Sequence, residues 1–364
     1  MKRAVIIGAG QTGRGFIAPI VSDNGYHITF LDKDEKLIEQ LRAERSYEIR
    51  YFGGKKEPRV LRDFEAYTME DGEAVRAASG ADVIFVSIFA SHIGEIVDFL
   101  TQAAEERQEG RLTVFCCENG VNVKKPLTDA GINAVISEGI IFCTTLKPEA
   151  DKLDLISQDY PELPVDGKVD GLQVCLKGMP YEQDFPSLIQ RKIYTYNFIS
   201  AIVAYLGSYM GYEVYGEAAN DRDIALVIEG ITPIISEVIA KEYSISYETQ
   251  LDFTKRAVEK FQNRDIYDTI YRNARQAERK LGVSERMMTP LFLAKKYGSN
   301  TALIELVIAA AMYYAKEKEG TDTAAVLENI RKITGDTELV EKLYENFCRG
   351  EKLCAILELL KKKS

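Results

Sequence analysis

At 364 residues the chain is long enough for two domains of ~150 residues, each with a core of its own. Fifty-six acidic against 46 basic residues leave a net charge of −10, which excludes the basic face of a nucleic-acid binder. Six cysteines without a Cys-x-x-Cys pair and only two histidines, His27 and His92, suggest no disulfide framework or zinc site; they fit a reducing cytoplasm and acid–base chemistry without a catalytic metal.

The opening Met1 to Ile7 is basic and then apolar, as an export signal is, but glycines interrupt the apolar run at Gly8. It reads as a strand. Short β-rich runs then alternate with helical patterns: Ala4 to Ile7, His27 to Leu31, Val83 to Ile88, Leu112 to Cys117 and Ala134 to Ser137. That alternation predicts βαβ units wound into a parallel sheet. Tyr47 to Phe52 and Val60 to Tyr67, around Gly53-Gly54-Lys55-Lys56, predict a hairpin inserted in it. Leu153 to Ser157 and Leu172 to Leu176 read as two more strands.

After Pro186 the texture becomes helical, so the boundary is placed near residue 185: a Rossmann-type doubly wound α/β domain over 1–185 and a mostly α-helical domain over 186–364. Helices are predicted from Leu188 to Leu206, Ile224 to Glu242, Tyr247 to Phe261, Tyr267 to Leu281 and Ala302 to Lys316, with Gly207, Gly282 and Gly298 as stops. The apolar stretch Ala302 to Ala315 carries Glu305 and is too short to span a bilayer. Lys361-Lys362-Lys363 reads as a solvated helix end.

The first strand runs directly into Gly8-Ala9-Gly10-Gln11-Thr12-Gly13, which opens a helical stretch, and Asp32 ends the next strand about 20 residues on. Those three conditions together identify a dinucleotide site. Gly8 allows the tight turn, Gly10 admits the pyrophosphate to the backbone and Gly13 lets helix and strand pack closely. Helix N-terminal amides, including those of Gln11 and Thr12, hold the anion. Asp32 suits ribose hydroxyls and repels a 2′-phosphate, favouring NAD over NADP, although Lys33 beside it weakens that preference. Ser87, at the end of the Val83 to Ile88 run, is a further cofactor candidate. His92, just beyond, is read as a solvated loop residue, and the Tyr-x-x-x-Lys at Tyr314 and Lys318 as coincidence.

The run Gly8-Ala9-Gly10-Gln11-Thr12-Gly13-Arg14-Gly15-Phe16-Ile17 resembles the opening of the polyol-specific long-chain dehydrogenases, the mannitol dehydrogenase family. Four more matches follow in order: Cys117-Glu118-Asn119; Arg191-Lys192 with Asn197; Ala201 to Gly207; and Arg272-x-x-Arg275-x-x-x-Arg279-Lys280-Leu281 with Arg286 and Pro290. The chain's length suits the phosphate-specific branch. The resemblance implies that Lys192 is the general base and that Asn197 and Asn119 hold the reacting oxygen; at ~100° per residue Lys192, Asn197 and Ser200 fall within an arc of about 140°. It also implies that some of Arg272, Arg275, Arg279, Lys280 and Arg286 bind a sugar phosphate, the planar guanidinium suiting a phosphate.

The implied activity is NAD-dependent interconversion of mannitol 1-phosphate and fructose 6-phosphate, with neither nucleic acid nor membrane as partner. Two departures bear on the substrate: Ser200 stands where the family has histidine, and Glu138-Gly139 where relatives have an Asp-Arg pair. Two other readings share these residues, a sugar-acid (keto-uronate) reductase and a non-catalytic NAD-sensing protein.

Overall fold

The structure, a computed structural model, describes residues 1–54, 56–160 and 162–361. They form two compact units, Met1–Ile189 and Gln190–Ser364.

The strands of the first unit, in chain order, are β1 (Lys2–Ile7), β2 (Tyr26–Asp32), β3 (Ser46–Tyr51), β4 (Arg59–Arg62), β5 (Glu65–Thr68), β6 (Val83–Val86), β7 (Leu112–Cys117), β8 (Ala134–Gly139), β9 (Thr145–Leu146), β10 (Leu155–Ser157), β11 (Val165–Asp166) and β12 (Tyr181–Glu182). Eight of them form one sheet in the order β12-β11-β8-β7-β6-β1-β2-β5. From β5 to β8 every neighbouring pair is parallel. Both faces are covered: Ala4 and Ile6 of β1 join one apolar core, Val5 and Ile7 the other. Burial on two sides is why these strands read as unbroken apolar runs. The order reverses between β1 and β6, and the carboxyl ends of strands at such a reversal are where this architecture places ligands.

The hairpin forms, with Ser46 opposite Arg62 and Ile49 opposite Arg59, but it is not part of the wound sheet. β3 and β4 belong to a second sheet, β4-β3-β10-β9; Lys55 of its turn lies outside the described residues. The segment Val60 to Tyr67, expected as one strand, breaks at Asp63, whose φ is 57°. Beyond the break β5 pairs with β2 in the main sheet. Leu172 to Leu176 is irregular rather than a strand. Leu172 and Val174 pack half-buried against the core, and the Val174 carbonyl accepts from the Tyr181 hydroxyl, a side-chain bond and not a strand ladder.

In the second unit the helices Arg222–Glu242 and Tyr247–Gln262 lie within two residues of expectation, because each starts at a capping side chain. Asp221 accepts from Asp223 N–H and Ile224 N–H at 2.8 and 3.1 Å, and Ser246 accepts from Thr249 N–H at 3.1 Å; a cap of this kind contributes about 1 kcal/mol. Ala302–Glu319 is buried along most of its length and ends at Gly320 (φ 67°). Among the described residues no helix is long and apolar enough to cross a membrane. The helices Met288–Lys296, Ala324–Thr334 and Glu338–Cys348 were not anticipated, whereas the last helix, Leu353–Lys361, ends where a helix end was expected. Its Lys361 pairs with Glu358 at 2.9 Å; Lys362 and Lys363 lie outside the described residues.

Two helical expectations are corrected. Gly207 does not stop its helix, which runs on to Tyr209. A Cβ there would sit 2.8 Å from both Ala218 Cβ and Ile270 Cδ1, so the glycine serves close packing. Tyr267 to Leu281 is not one helix but two short ones, Ile270–Ala274 and Ala277–Lys280. Gln276 between them is left-handed (φ 62°). The Glu319 carboxylate accepts from Gln276 N–H at 2.6 Å and Ala277 N–H at 2.9 Å, restarting the second helix.

Candidate active site

Gly8 leaves β1 with φ 96°, and a Cβ on it would lie 2.3 Å from the Ser87 carbonyl oxygen. Ser87 N–H donates to the Ile7 carbonyl at 2.7 Å, so the chain ends of β1 and β6 are pinned together at the sheet reversal. A Cβ on Gly13 would meet the Gly8 carbonyl oxygen at 2.1 Å, whereas one on Gly10 would meet nothing within 4 Å. Gly8 and Gly13 are therefore demanded by the fold itself. Gly10 is exposed and opens onto free space. Gln11 is exposed and Thr12 half-buried at the start of the helical stretch 11–23, whose first N–H groups have no intrahelical acceptor.

Asp32, half-buried at the end of β2, holds this turn. Its Oδ2 accepts from Ala9 N–H at 2.7 Å and its Oδ1 from Asp34 N–H at 3.0 Å. Arg14 belongs to the same device, though sequence reasoning gave it no role. It is 1% exposed, donates from Nε to the Ala9 carbonyl at 2.7 Å and from Nη1 to the Leu153 carbonyl, and lies 5.2 Å over the Tyr47 ring. Burial lowers its pKa from the ordinary arginine value. Its signal was a charged residue among Gly13, Gly15, Phe16 and Ile17, all of them buried.

Lys192 ends the helix Phe185–Lys192 and is 4% exposed. The next turn, Ile193–Asn197, is π-helical before α-helix resumes at Phe198. In regular α-helix residues five apart stand about 140° apart; an i→i+5 turn narrows that angle. Lys192 and Asn197 are thereby brought nearer one face than regular spacing allows. Ser200, half-buried, follows on the α-helix, its carbonyl accepting from Tyr215 OH at 3.3 Å. Gln250 braces the π-turn, accepting from Arg191 Nε and donating to Thr195 Oγ1, both at 2.9 Å. In the first unit, Asn119 follows β7 and its Oδ1 accepts from Ile141 N–H at 3.2 Å.

The cationic stretch is not one helix face. Arg272 pairs with Asp268 at 2.6 Å and Arg279 with Glu285 at 2.9 Å. Arg275 is exposed and has no carboxylate partner among the described residues. Arg286 points inward, its Nε 3.5 Å from Glu285 Oε2 without hydrogen-bonding geometry. Lys280 is buried and donates from Nζ to the Asn273 carbonyl at 2.6 Å. Burial first, then Arg286 and Arg279, lower its pKa to about 7.

That shift has a consequence for stability. The unfolded chain keeps the Lys280 proton up to the ordinary 10.5, whereas the folded chain loses it near 7. Lys280 therefore costs stability fully below about pH 7 and less as pH rises toward 10.5. Lys280→Met is expected to raise the thermal midpoint most on the acid side of 7. A gain that stays constant or grows with pH contradicts this assignment.

The Glu138-Gly139 departure is accounted for within the first unit. Glu138 is buried, and its Oε2 lies 3.5 Å from Lys124 Nζ, which also pairs with Asp166 at 3.0 Å. A Cβ on Gly139 would lie 3.2 Å from Cys117 Sγ and from Leu163 Cδ1, so a side chain at this position would press on both. His92 contacts Glu95 through Nδ1. Among the described residues no cluster of metal-ligating side chains occurs.

A parallel sheet whose glycine turn sits at the order reversal, followed in the chain by a helical unit, defines a Rossmann-type oxidoreductase. The chain belongs to the mannitol dehydrogenase family: the family's Rossmann domain matches residues 2–146 and its C-terminal domain residues 184–350. It is similar to mannitol-1-phosphate 5-dehydrogenase of Caldanaerobacter subterraneus subsp. tengcongensis, 25% identical over 95% of this chain and 98% of that protein. The enzyme of that name from Oceanobacillus iheyensis is 27% identical over 88% of each chain. Among solved structures, Pseudomonas fluorescens mannitol 2-dehydrogenase, determined with NAD and D-mannitol, shares the fold with a TM-score of 0.77 at 15% identity, covering 100% of this chain and 95% of that one. A D-sorbitol dehydrogenase follows at 0.74, also at 15% identity, over 94% and 91%.

Proposed function

We propose that the chain is an NAD-dependent polyol-phosphate dehydrogenase interconverting mannitol 1-phosphate and fructose 6-phosphate. The observation that carries this reading is Lys192, a lysine 4% exposed and followed by a π-turn that ends at Asn197. Burial sets this amine apart from a snorkelling surface lysine, and π-turns occur often at functional sites. The residues of the glycine turn fit a dinucleotide: Gly8 and Gly13 are packed shut while Gly10 leaves a place open at a helix N-terminus. Asp32 disfavours a 2′-phosphate.

When bound, the nicotinamide dinucleotide supplies the acceptor for the hydride. Lys192 takes the hydroxyl proton as the alcohol is oxidised, and the amides of Asn197 and Asn119 hold the oxygen as negative charge develops on it. The names of the relatives support a phosphorylated substrate, and so does the cationic group of Arg275, Arg279, Lys280 and Arg286.

Loss of NADH absorbance with fructose 6-phosphate, and much less with fructose, is the expected result. Reaction with a sugar acid but not with fructose 6-phosphate refutes the substrate; equal turnover of fructose refutes the role of the cations. Lys280 adds a pH signature. Its proton attracts the phosphate below about 7 and is lost above, so KM for fructose 6-phosphate should rise as pH passes upward through that value. A KM flat across that range removes Lys280 from the phosphate site.

A further inference from the structure

Asp32 and Lys33 stand together at the carboxyl end of β2, where a dinucleotide fold meets the adenosine ribose and where a cation can accommodate a 2′-phosphate. The two side chains are in different situations. Asp32 is fixed by the backbone amides of Ala9 and Asp34. Lys33 is held by a residue from another crossover: its Nζ lies 3.3 Å from Glu95 Oε2. Glu95 belongs to the turn Ala90–Ile96 that follows β6. The other oxygen of the same carboxylate contacts His92 Nδ1. His92 first and Lys33 second hold the Glu95 carboxyl below its usual range.

The strand end thus carries a carboxylate, Asp32, held by backbone amides, and an ammonium, Lys33, already engaged by Glu95. Lys33 and Glu95 are both exposed, with 71% and 55% of their side-chain surface accessible. A pair so placed contributes little to stability. Its effect is on the local field, and on whether Lys33 is available to an incoming anion.

We propose that Glu95 is a specificity-determining residue for the cofactor: by holding Lys33 it denies a 2′-phosphate the cation that would receive it. The preference for NAD then depends on Glu95 together with Asp32. This inference rests on the NAD-dependent reading above.

The test uses the full chain, and its readout is dinucleotide affinity, measured for NADH and NADPH by nicotinamide fluorescence without sugar. Glu95→Gln is expected to tighten NADPH relative to NADH by up to about fivefold, the most that freeing Lys33 from an exposed ion pair worth at most ~1 kcal/mol can return. Combining it with Lys33→Gln should abolish that gain, because the released cation is gone. An NADPH-to-NADH ratio unmoved by Glu95→Gln, with NADH still bound, overturns the proposal alone. So does a gain that survives in the double variant, since Glu95 would then act by its own charge and not through Lys33. If the wild-type chain binds neither dinucleotide, the cofactor reading fails and the proposal fails with it.

Discussion

Lys192→Met is expected to lower turnover of fructose 6-phosphate by about 10²–10⁴-fold, the range over which a positioned acid–base group acts, while leaving the dissociation constant for NADH within about twofold of wild type. The division follows from where the residues lie. The glycine turn and Asp32 belong to the unit Met1–Ile189, and Lys192 to Gln190–Ser364. Methionine matches the length of the lysine stem, so a buried position loses its amine without a large cavity. Lys192→Arg should be as inactive as Lys192→Met, because a guanidinium holds its proton too tightly to take one from the alcohol or to give one to the ketone oxygen. Small primary amines added to Lys192→Ala should restore part of the rate. Full activity in Lys192→Arg, or an NADH affinity that falls as far as turnover does, is incompatible with Lys192 as the base.

The parts of this molecule legible in its sequence are those where one physical cause dominates. β1, β6, β7 and β8 are buried on both faces, so each shows as an apolar run. The glycine turn shows because Gly8 and Gly13 are forced by backbone approach. The two-residue strands β9, β11 and β12 carry too little pattern to be seen. Leu172 to Leu176 misleads in the opposite way: its alternation is real and its residues touch the core, yet no ladder forms.

At the candidate site the residue types were legible and their backbone was not. Arg272, Arg275 and Arg279 have helical spacing, but the interruption at Gln276 is fixed by Glu319, 43 residues away along the chain. A local window cannot see that partner. The π-turn at Ile193–Asn197 likewise leaves the apolar periodicity looking α-helical. Arg14 directly follows the glycine turn, but its role depends on Leu153 and Tyr47, both distant in sequence.

Alanine at two glycines of the same turn should give opposite results. Gly13→Ala is expected to destabilise the fold by about 3 kcal/mol, at the upper end of overpacking costs, because its Cβ would sit 2.1 Å from the Gly8 carbonyl oxygen. Neither group can swing aside: Gly8 is held by its N–H bond to the Leu31 carbonyl at 2.8 Å and by its contact with Ser87. Relief would require the start of the helix to move away from β1. Gly10→Ala meets nothing within 4 Å and replaces a flexible residue, so its thermal midpoint should equal or slightly exceed that of the wild type. Its NADH affinity should nevertheless fall, because the methyl group occupies the space through which a pyrophosphate reaches the helix amides. Thermal unfolding and NADH titration of both variants separate the two roles. A Gly10→Ala protein that binds NADH normally removes that residue from the pyrophosphate site, and a Gly13→Ala protein of unchanged midpoint means that the turn can relax away from β1 at little cost.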